Sequence, residues 1–221
     1  MGKNKLARFA VNAQRDNVIE EGKEIFGKIK GNWKKFFGNE NPLFVELACG
    51  RGEYTTGLAA VYPDRNYVGV DVKGARIWKG STVAVENNLK NAAFLRIKMY
   101  LLPEFFEPGE IDGIWLTFPD PRPRDRDEKH RLTFINYLKV YKTLLAKDGM
   151  FHFKTDNPGL FEYTLEVLQQ YPELGVRDLE YTKDLYNSPY NAEHHGIETT
   201  YERMFVQKGF KINYMKFRFG D

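Results

Sequence analysis

The sequence is poor in cysteine, in long apolar runs and in net charge. Cys49 is the only cysteine among 221 residues, so no disulfide can form within the chain and a reducing compartment suits it. No apolar run approaches the roughly 18 residues of a transmembrane helix, and the N-terminus has no signal-peptide-like apolar core. We therefore expect a soluble, cytoplasmic protein that does not bind membranes. The net charge of +3 does not by itself indicate nucleic acid, so local clusters of charge must carry that argument.

The distribution of apolar residues predicts one α/β domain. An apolar content of 42% in 221 residues is sufficient for a substantial core. Short apolar segments alternate with amphipathic ones, which is typical of a parallel sheet with right-handed crossovers. The predicted strands are 43–45, 66–70, 92–97, 111–118, 149–154, 176–181 and 210–219, and the predicted helices are 53–62, 74–89, 132–146 and 160–171.

The first 41 residues are predicted to form a basic N-terminal arm followed by a helix. Residues 1–15 contain no acid and carry Lys3, Lys5, Arg8 and Arg15. Such an arm is either a disordered terminus or a tail that contacts phosphates. Between residues 17 and 29 apolar residues recur at roughly helical spacing, which predicts a packed helix. Residues 42–221 then form the single globular domain.

A turn rich in glycine follows the first predicted strand. The segment 44–54 reads FVELACGRGEY, with Gly50 and Gly52 in the turn and a helical pattern after it. Strand, glycine turn and helix bring backbone close to a ligand in nucleotide-binding folds, although an ordinary βαβ turn looks the same. Asp71 ends the second predicted strand nineteen residues after Gly52, where an acid is placed to bind ribose hydroxyls. Together the two features favour a cofactor that contains a nucleoside.

The charges around this turn indicate which cofactor it is. A dinucleotide fold needs G-x-G-x-x-G and a helix N-terminus that is free for pyrophosphate, whereas this sequence has A-C-G-R-G-E. Glu53 opens the helix and Glu46 precedes the turn, and both carboxylates would repel phosphate. Carboxylates suit the ammonium and sulfonium groups of S-adenosylmethionine, which also carries a ribose. The chemistry therefore favours S-adenosylmethionine as the cofactor and methyl transfer as the reaction.

Acids stand at the ends of further predicted strands. Asp120 follows the fourth strand and Asp156 follows the fifth. In open α/β sheets ligands bind outside the carboxyl ends of the strands, so Glu46, Asp71, Asp120 and Asp156 are expected to line one edge. Any one of these acids alone is more simply a turn former or a helix cap. Four of them at strand ends favour a site.

The loop after the fourth strand is both stiff and basic. Residues 117–131 read TFPDPRPRDRDEKHR, in which three prolines forbid regular structure. Six basic or imidazole side chains surround the prolines, and three acids partly offset their charge, so a solvated charged loop is the simpler interpretation. Its place beside the predicted cofactor edge instead suggests arginines that contact phosphates.

At this point the sequence resembles the tRNA (guanine-N7-)-methyltransferases. Four blocks in order carry the resemblance: ELACGRGEY at 46–54, GVD at 69–71, FPDP with basic residues at 118–131, and KTD at 154–156 with TTYE at 199–202. The FPDP block is fairly specific, whereas many methyltransferases share the glycine turn. The resemblance implies a Rossmann-like class I methyltransferase with a mostly parallel seven-stranded sheet, helices on both faces and a reversed last strand. It also implies that the substrate is a guanosine in the tRNA variable loop, at position 46.

The resemblance assigns roles to residues by position. Glu46 and Asp71 match the cofactor-binding acids, Gly50 and Gly52 form the cofactor turn, and Asp120 matches the catalytic, cofactor-adjacent acid. The substrate-binding positions are Arg124, Asp156, Thr199, Thr200, Tyr201 and Glu202. The sequence departs from the family at Ala48, which replaces a glycine, and at Arg122, which stands where many members have tryptophan. The acid that the family places after the third strand is missing, and Lys98 and Met99 lie there; Met99 is assigned to the cofactor.

The chemistry of N7 methylation suits these residues. Guanine N7 carries a lone pair and no proton, so catalysis needs alignment rather than a strong base. The ring becomes cationic during transfer, and a nearby carboxylate, assigned to Asp120, stabilises the transition state more than the ground state. Asp156 and Glu202 are candidates to accept hydrogen bonds from guanine N1 and N2. The target base must leave its stack, which costs on the order of a few kcal/mol.

Other functions remain open at the level of sequence. They are a methyltransferase for another RNA base or a small molecule, a nucleotide-dependent oxidoreductase, and an RNA-binding protein without catalysis. The adjacent His194 and His195 lack partner ligands at metal-binding spacing, so no metal is expected. We expect tRNA as the partner and infer no obligatory protein partner.

Overall fold

The computed structural model describes residues 3–220, with side chains from residue 5, and its central element is an eight-stranded sheet in the order β1-β4-β3-β2-β5-β6-β8-β7. The strands are β1 (Val18–Ile19), β2 (Leu43–Leu47), β3 (Asn66–Val70), β4 (Ala92–Leu95), β5 (Ile111–Thr117), β6 (Leu145–Thr155), β7 (Val176–Thr182) and β8 (Asn213–Phe219). The helices are α1 (Lys3–Gln14), α2 (Trp33–Phe37), α3 (Glu53–Val61), α4 (Gly74–Glu86), α5 (Ile135–Leu144), α6 (Pro158–Gln170) and α7 (Thr200–Gln207).

The predicted parallel sheet with a reversed last strand is confirmed. Strands β1 to β6 pair in parallel, whereas β8 runs antiparallel to both β6 and β7. Helices cover both faces, because side chains alternate along each strand: in β5, Ile114 and Leu116 join the cluster under α5 and α6, whereas Trp115 joins the cluster under α3 and α4. None of the helices within residues 3–220 is long and apolar enough to span a bilayer.

The helix predicted over 17–29 is wrong, and this segment supplies the eighth strand. Val18 and Ile19 pair in parallel with Phe94 and Leu95 at the edge of the sheet and are fully buried. Their β-branched side chains suit a strand, and the segment continues as turns and one 3₁₀ turn. Val18 and Ile19 are thus buried in an edge strand, whereas Ile25 and Phe26 are half-buried around a 3₁₀ turn, so the apolar residues do not form one helical face.

The basic N-terminal segment forms a helix that packs on the domain. In α1, the side-chain amide of Asn12 donates to the Gly74 carbonyl at 2.8 Å. Arg15, which directly follows α1, donates to the hydroxyls of Ser81 and Thr82, so both residues tie the end of α1 to α4. A Cβ on Gly74 would lie 2.6 Å from the Phe9 ring, which shows how closely the two helices approach. Residues 3–14 are therefore not a disordered terminus, and they lie beside the carboxyl edge of β3.

Candidate active site

The predicted acids do meet at the carboxyl edge of the sheet, but in different surroundings. Glu46 and Asp71 are buried, at 4% and 6% exposure. Asp156 is half-buried, and burial raises the pKa of its carboxyl. The Asp120 side chain is 64% exposed and is the most open of the four. The acids can therefore have different roles even though they share one edge.

Glu46 stabilises the glycine turn through hydrogen bonds with the elements that flank it. One carboxylate oxygen accepts hydrogen bonds from the Thr55 amide at 2.8 Å and the Thr55 hydroxyl at 2.5 Å, and the other accepts from the Thr117 hydroxyl at 3.1 Å. These bonds join β2 to α3 and β5. Burial raises the pKa of Glu46 to about 8, and the hydrogen bonds from the two threonines oppose that rise. In this structure the carboxylate faces protein groups on both sides.

We expect Glu46→Gln to gain stability relative to the native protein as the pH rises from about 4.5 to about 8. The unfolded carboxyl ionises above about 4.5, whereas the folded one keeps its proton until about 8. Each increase of one pH unit between these values therefore lowers the free energy of unfolding of the native protein but not that of the glutamine variant. Thermal melts near both pH values, with the exposed Glu166→Gln as control, measure the effect. A Tm difference between Glu46→Gln and native that does not grow with pH would contradict it.

The glycine turn needs its glycines for different reasons. Gly50 and Gly52 adopt φ values of 56° and 70°, which favour glycine. At Gly52, which caps α3, an added Cβ would also lie 2.4 Å from the Phe94 ring. Ala48, which replaces a family glycine, has a φ of 54° and so holds a conformation that is unusual for a side-chain-bearing residue.

Asp71 holds the turn against the end of β3. One carboxylate oxygen accepts a hydrogen bond from the Gly50 amide at 2.9 Å, and the other accepts from the Lys73 amide at 2.7 Å. Each oxygen has a second lone pair. Because Asp71 also lines an open cavity, those lone pairs are available to a ligand's hydroxyls.

The cavity beside Asp71 has a volume of about 530 Å³ and brings together three of the predicted residues. Asp71, Met99 and Asp120 all line it. Val72 and Tyr100 supply exposed apolar surface, at 49% and 60% exposure, on the same walls. Two acids and apolar wall residues together suit a ligand with a ribose, a flat ring and a cationic group. We call this the Asp71 cavity.

Asp120 is held by the sharp loop after β5. The Arg122 side chain forms an ion pair with its carboxylate at 3.1 Å, and the Arg122 amide donates to the same group at 3.3 Å. Phe118 and Arg122 have positive φ values of 50° and 47°, so the loop is bent sharply on both sides of Asp120.

A second cavity, of about 520 Å³, adjoins the first, and the two share Ala48, Arg76 and Phe118. Gly50 and Glu53 line it from the turn, and Thr199 and Tyr201 line it from the start of α7. Its remaining lining residues include Arg8, Arg51, Trp78, Lys79 and Thr117. We call it the Arg51 cavity.

The predicted segment 199–202 reaches the glycine turn across a long stretch of sequence. The Thr200 amide and hydroxyl both donate to Glu53, at 3.2 and 2.7 Å. The Tyr201 hydroxyl accepts from Arg76 at 3.4 Å. Thr199 and Glu202 form a capping box that begins α7. Glu53, whose negative charge disfavours a pyrophosphate, is therefore the group that accepts hydrogen bonds from this segment.

A buried ion pair anchors the segment, and sequence reasoning missed it. Lys154, in β6, lies 2.5 Å from the Glu202 carboxylate and 2.6 Å from the Tyr54 hydroxyl, and the Lys154 and Glu202 side chains are both 0% exposed. Tyr186 donates to Glu202 at 2.9 Å, and burial lowers the pKa of Lys154 against the effect of its partner. Glu202 has no exposed oxygen here, so the structure does not support its expected direct contact with guanine. The KTD block at 154–156 was the sequence feature that could have drawn attention to Lys154.

The other predicted substrate residue, Arg124, lies outside both cavities. Its guanidinium forms two bonds of 2.8 Å with Asp127 on the exposed face of the loop. The two adjacent histidines also have ordinary partners, since His195 bonds the Tyr62 hydroxyl at 3.0 Å and His194 accepts from the Gly196 amide. Within the described part of the chain no group of three or more His, Cys, Asp or Glu residues is placed to hold a metal ion.

Comparison with known proteins gives a consistent result. A family model described as a putative methyltransferase matches residues 40–215. The tRNA (guanine-N(7)-)-methyltransferase of Cytophaga hutchinsonii is 50% identical over 99% of both chains. The protein of the same name from Christiangramia forsetii is 41% identical over 98% of both chains.

Solved structures share the fold at low sequence identity. The 16S rRNA methyltransferase KamB superposes with a TM-score of 0.66 at 14% identity, covering 93% of this chain and 99% of its own. An antibiotic-related methyltransferase gives a TM-score of 0.61 at 16% identity, covering 85% and 92%. These likenesses establish the class I methyltransferase architecture of the sheet.

Proposed function

Because the chain belongs to the tRNA (guanine-N(7)-)-methyltransferase family, we propose that it methylates N7 of the guanosine at position 46, in the tRNA variable loop. The enzyme uses S-adenosylmethionine as methyl donor. The observation that carries the proposal is the Asp71 cavity, which is lined by both the buried Asp71 and the exposed Asp120. With tRNA as substrate, we place the enzyme in the cytoplasm.

The residues present fit S-adenosylmethionine. Asp71 offers free lone pairs to ribose hydroxyls, and Val72 and Met99 offer apolar contact to adenine. Gly50 leaves the backbone of the turn open, Gly52 lets the turn pack closely on the Phe94 ring, and Glu46 accepts a hydrogen bond from the Thr55 amide beneath it. No acid follows β4, so in this arrangement adenine is held by apolar contact with Met99 rather than by a carboxylate. When bound, the cofactor supplies an electrophilic methyl group on a sulfonium.

We expect Asp71→Ala to weaken S-adenosylmethionine binding by about 1–3 kcal/mol, or roughly 5- to 150-fold, because the ribose loses a charged acceptor. Calorimetry measures the change. Asp71→Asn keeps an acceptor for the Gly50 amide, so its affinity for S-adenosylmethionine should fall between those of the native protein and Asp71→Ala. Asp64→Ala, at an exposed site beyond the far end of β3, is the matched control and should bind as the native protein does. Native affinity in a folded Asp71→Ala protein would remove Asp71 from the site.

In the proposed mechanism the protein aligns the base and stabilises charge. Guanine N7 attacks with its own lone pair, so no side chain has to remove a proton first. The Asp120 carboxylate faces the cationic ring that develops, and Arg122 orients that carboxylate at 3.1 Å. Asp156, half-buried at the next strand end, accepts hydrogen bonds from the Watson–Crick edge of the guanine.

Residues 199–202 close the site in this proposal. Thr199, Thr200 and Tyr201 line or adjoin the Arg51 cavity, with Tyr201 48% exposed and free to contact RNA. Glu202 acts through Lys154 as a positioning residue that fixes the start of α7. Arg124 lies in the exposed stretch 122–126 that follows Asp120, where arginines contact the phosphate backbone.

The test of the function is methyl transfer from labelled S-adenosylmethionine to purified tRNA. Transfer to a tRNA with guanosine at position 46 and none to the same tRNA with adenosine there would support the proposal. Equal labelling of both tRNAs would refute the position, and labelling of neither would refute the substrate. Calorimetry with NAD is the parallel control for the oxidoreductase alternative, which predicts binding of NAD instead.

A further inference from the structure

Four cationic side chains from three separate segments converge on the Arg51 cavity. Arg8 comes from α1, Arg51 from the glycine turn, and Arg76 and Lys79 from α4. Among residues 5–220, none of these four lies within 4.0 Å of a carboxylate oxygen, although ion pairs are common elsewhere on the surface. Like charges that gather without partners raise the local potential and attract an anion.

Arg8, Arg51 and Lys79 are exposed and Arg76 is half-buried, and two of these cations have fixed contacts. The Arg8 guanidinium lies over the Trp78 ring at 4.8 Å, and Arg76 donates to the Tyr201 hydroxyl. The one acid that lines the cavity, Glu53, already accepts two hydrogen bonds from Thr200. A fixed arrangement of cations with little internal neutralisation is suited to a polyanion.

The cofactor does not account for this charge. The amino-acid end of S-adenosylmethionine carries one carboxylate beside one ammonium, so its charges cancel locally, and its sulfonium is cationic. A phosphodiester backbone instead presents one negative charge per nucleotide, which matches several cations in a row. The Arg51 and Asp71 cavities share Ala48, Arg76 and Phe118, so a phosphate in the first lies close to a base that stands beside Asp120 in the second.

We propose that the Arg51 cavity is a phosphate subsite that binds the RNA backbone next to the target guanosine, whose base lies beside Asp120, next to the cofactor in the Asp71 cavity. This inference rests on the proposed function for the identity of the base. In this arrangement α1 is part of the active site, because Arg8 completes the subsite. The glycine turn then serves the cofactor through Gly50 and the substrate through Arg51.

The experiment compares two double variants that each remove two positive charges. Arg51→Gln with Lys79→Gln removes exposed cations from the cavity, whereas Lys35→Gln with Lys90→Gln removes exposed cations from the opposite end of the sheet. We expect the first pair to raise the Kd for tRNA about tenfold and to reduce the salt dependence (log Kd against log salt) by about 1–2. The second pair should change the Kd by less than about twofold. Arg8→Gln alone should reduce the slope by about half as much.

Ethylation interference identifies the phosphate. In the native enzyme, ethylating one phosphate next to the target guanosine should block methylation, and the cavity variant should no longer distinguish that phosphate from its neighbours. Equal behaviour of the two double variants would overturn the subsite. Weakened binding of S-adenosylmethionine with unchanged tRNA binding would assign the cavity to the cofactor carboxylate instead. If the native enzyme bound tRNA but methylated no guanine in it, the proposed function would fail while the salt-slope comparison still decided the subsite.

Discussion

Asp120→Asn should lower kcat by about 100-fold or more and change tRNA affinity much less. Asparagine keeps the size and hydrogen-bonding shape of the side chain but removes its charge. Neutral guanine gains little from a carboxylate, whereas the ring that becomes cationic in the transition state gains a great deal. The loss should therefore appear in kcat rather than in binding.

The measurement is a single turnover at saturating S-adenosylmethionine, with cofactor affinity determined separately. Asp125→Asn, an exposed acid in the same loop, is the matched control and should keep full activity. Full activity of Asp120→Asn would show that the charge is not needed, and Asp156 would become the better candidate. A loss confined to cofactor affinity would leave Asp120 as a binding residue, with catalysis resting on alignment alone.

Lys154→Met should lower the free energy of unfolding by about 3–5 kcal/mol, because it leaves the Glu202 carboxylate buried without its partner. Both side chains are 0% exposed, so water cannot replace the lost contact. Removing both charges, with Lys154→Met and Glu202→Leu together, should restore much of the loss. Urea unfolding of the two single variants and the double variant gives the coupling energy.

The exposed pair of Lys183 and Glu162 is the control for this cycle, and Lys183→Met should cost at most about 1 kcal/mol. Additive losses in the Lys154 and Glu202 variants would contradict the ion pair. The double variant also separates fold from function. If it is stable but has lost tRNA methylation, then the pair positions residues 199–202 and does not merely hold the domain together.

The sequence was sufficient to predict strands β2 to β8 because their signals are local. Short apolar segments mark β2 to β8, and the glycine turn between β2 and α3 needs only neighbouring residues. Acids at strand ends could be placed on one edge because parallel strands share their direction. This reasoning brought Asp71, Met99 and Asp120 to a single cavity.

What the sequence could not predict depends on distant partners. The helical spacing over 17–29 concealed β1, because Val18 and Ile19 are buried by a strand that comes more than seventy residues later. Glu202 looked available to a substrate, and only the tertiary fold shows Lys154 beside it, 48 residues away in sequence. The cations of the Arg51 cavity are far apart in the sequence. They come together only because α1 packs against α4.

The central claim is that N7 of the guanine at position 46 accepts the methyl group. A tRNA with 7-deazaguanosine at that position, beside an otherwise identical tRNA with guanosine, tests it most directly. The analogue keeps the Watson–Crick edge and the backbone but has no N7 lone pair. We predict native binding of the analogue with no methyl transfer, and full transfer to the guanosine tRNA. Methylation of the 7-deazaguanosine tRNA would contradict the account, because the acceptor would then be another atom or another nucleotide.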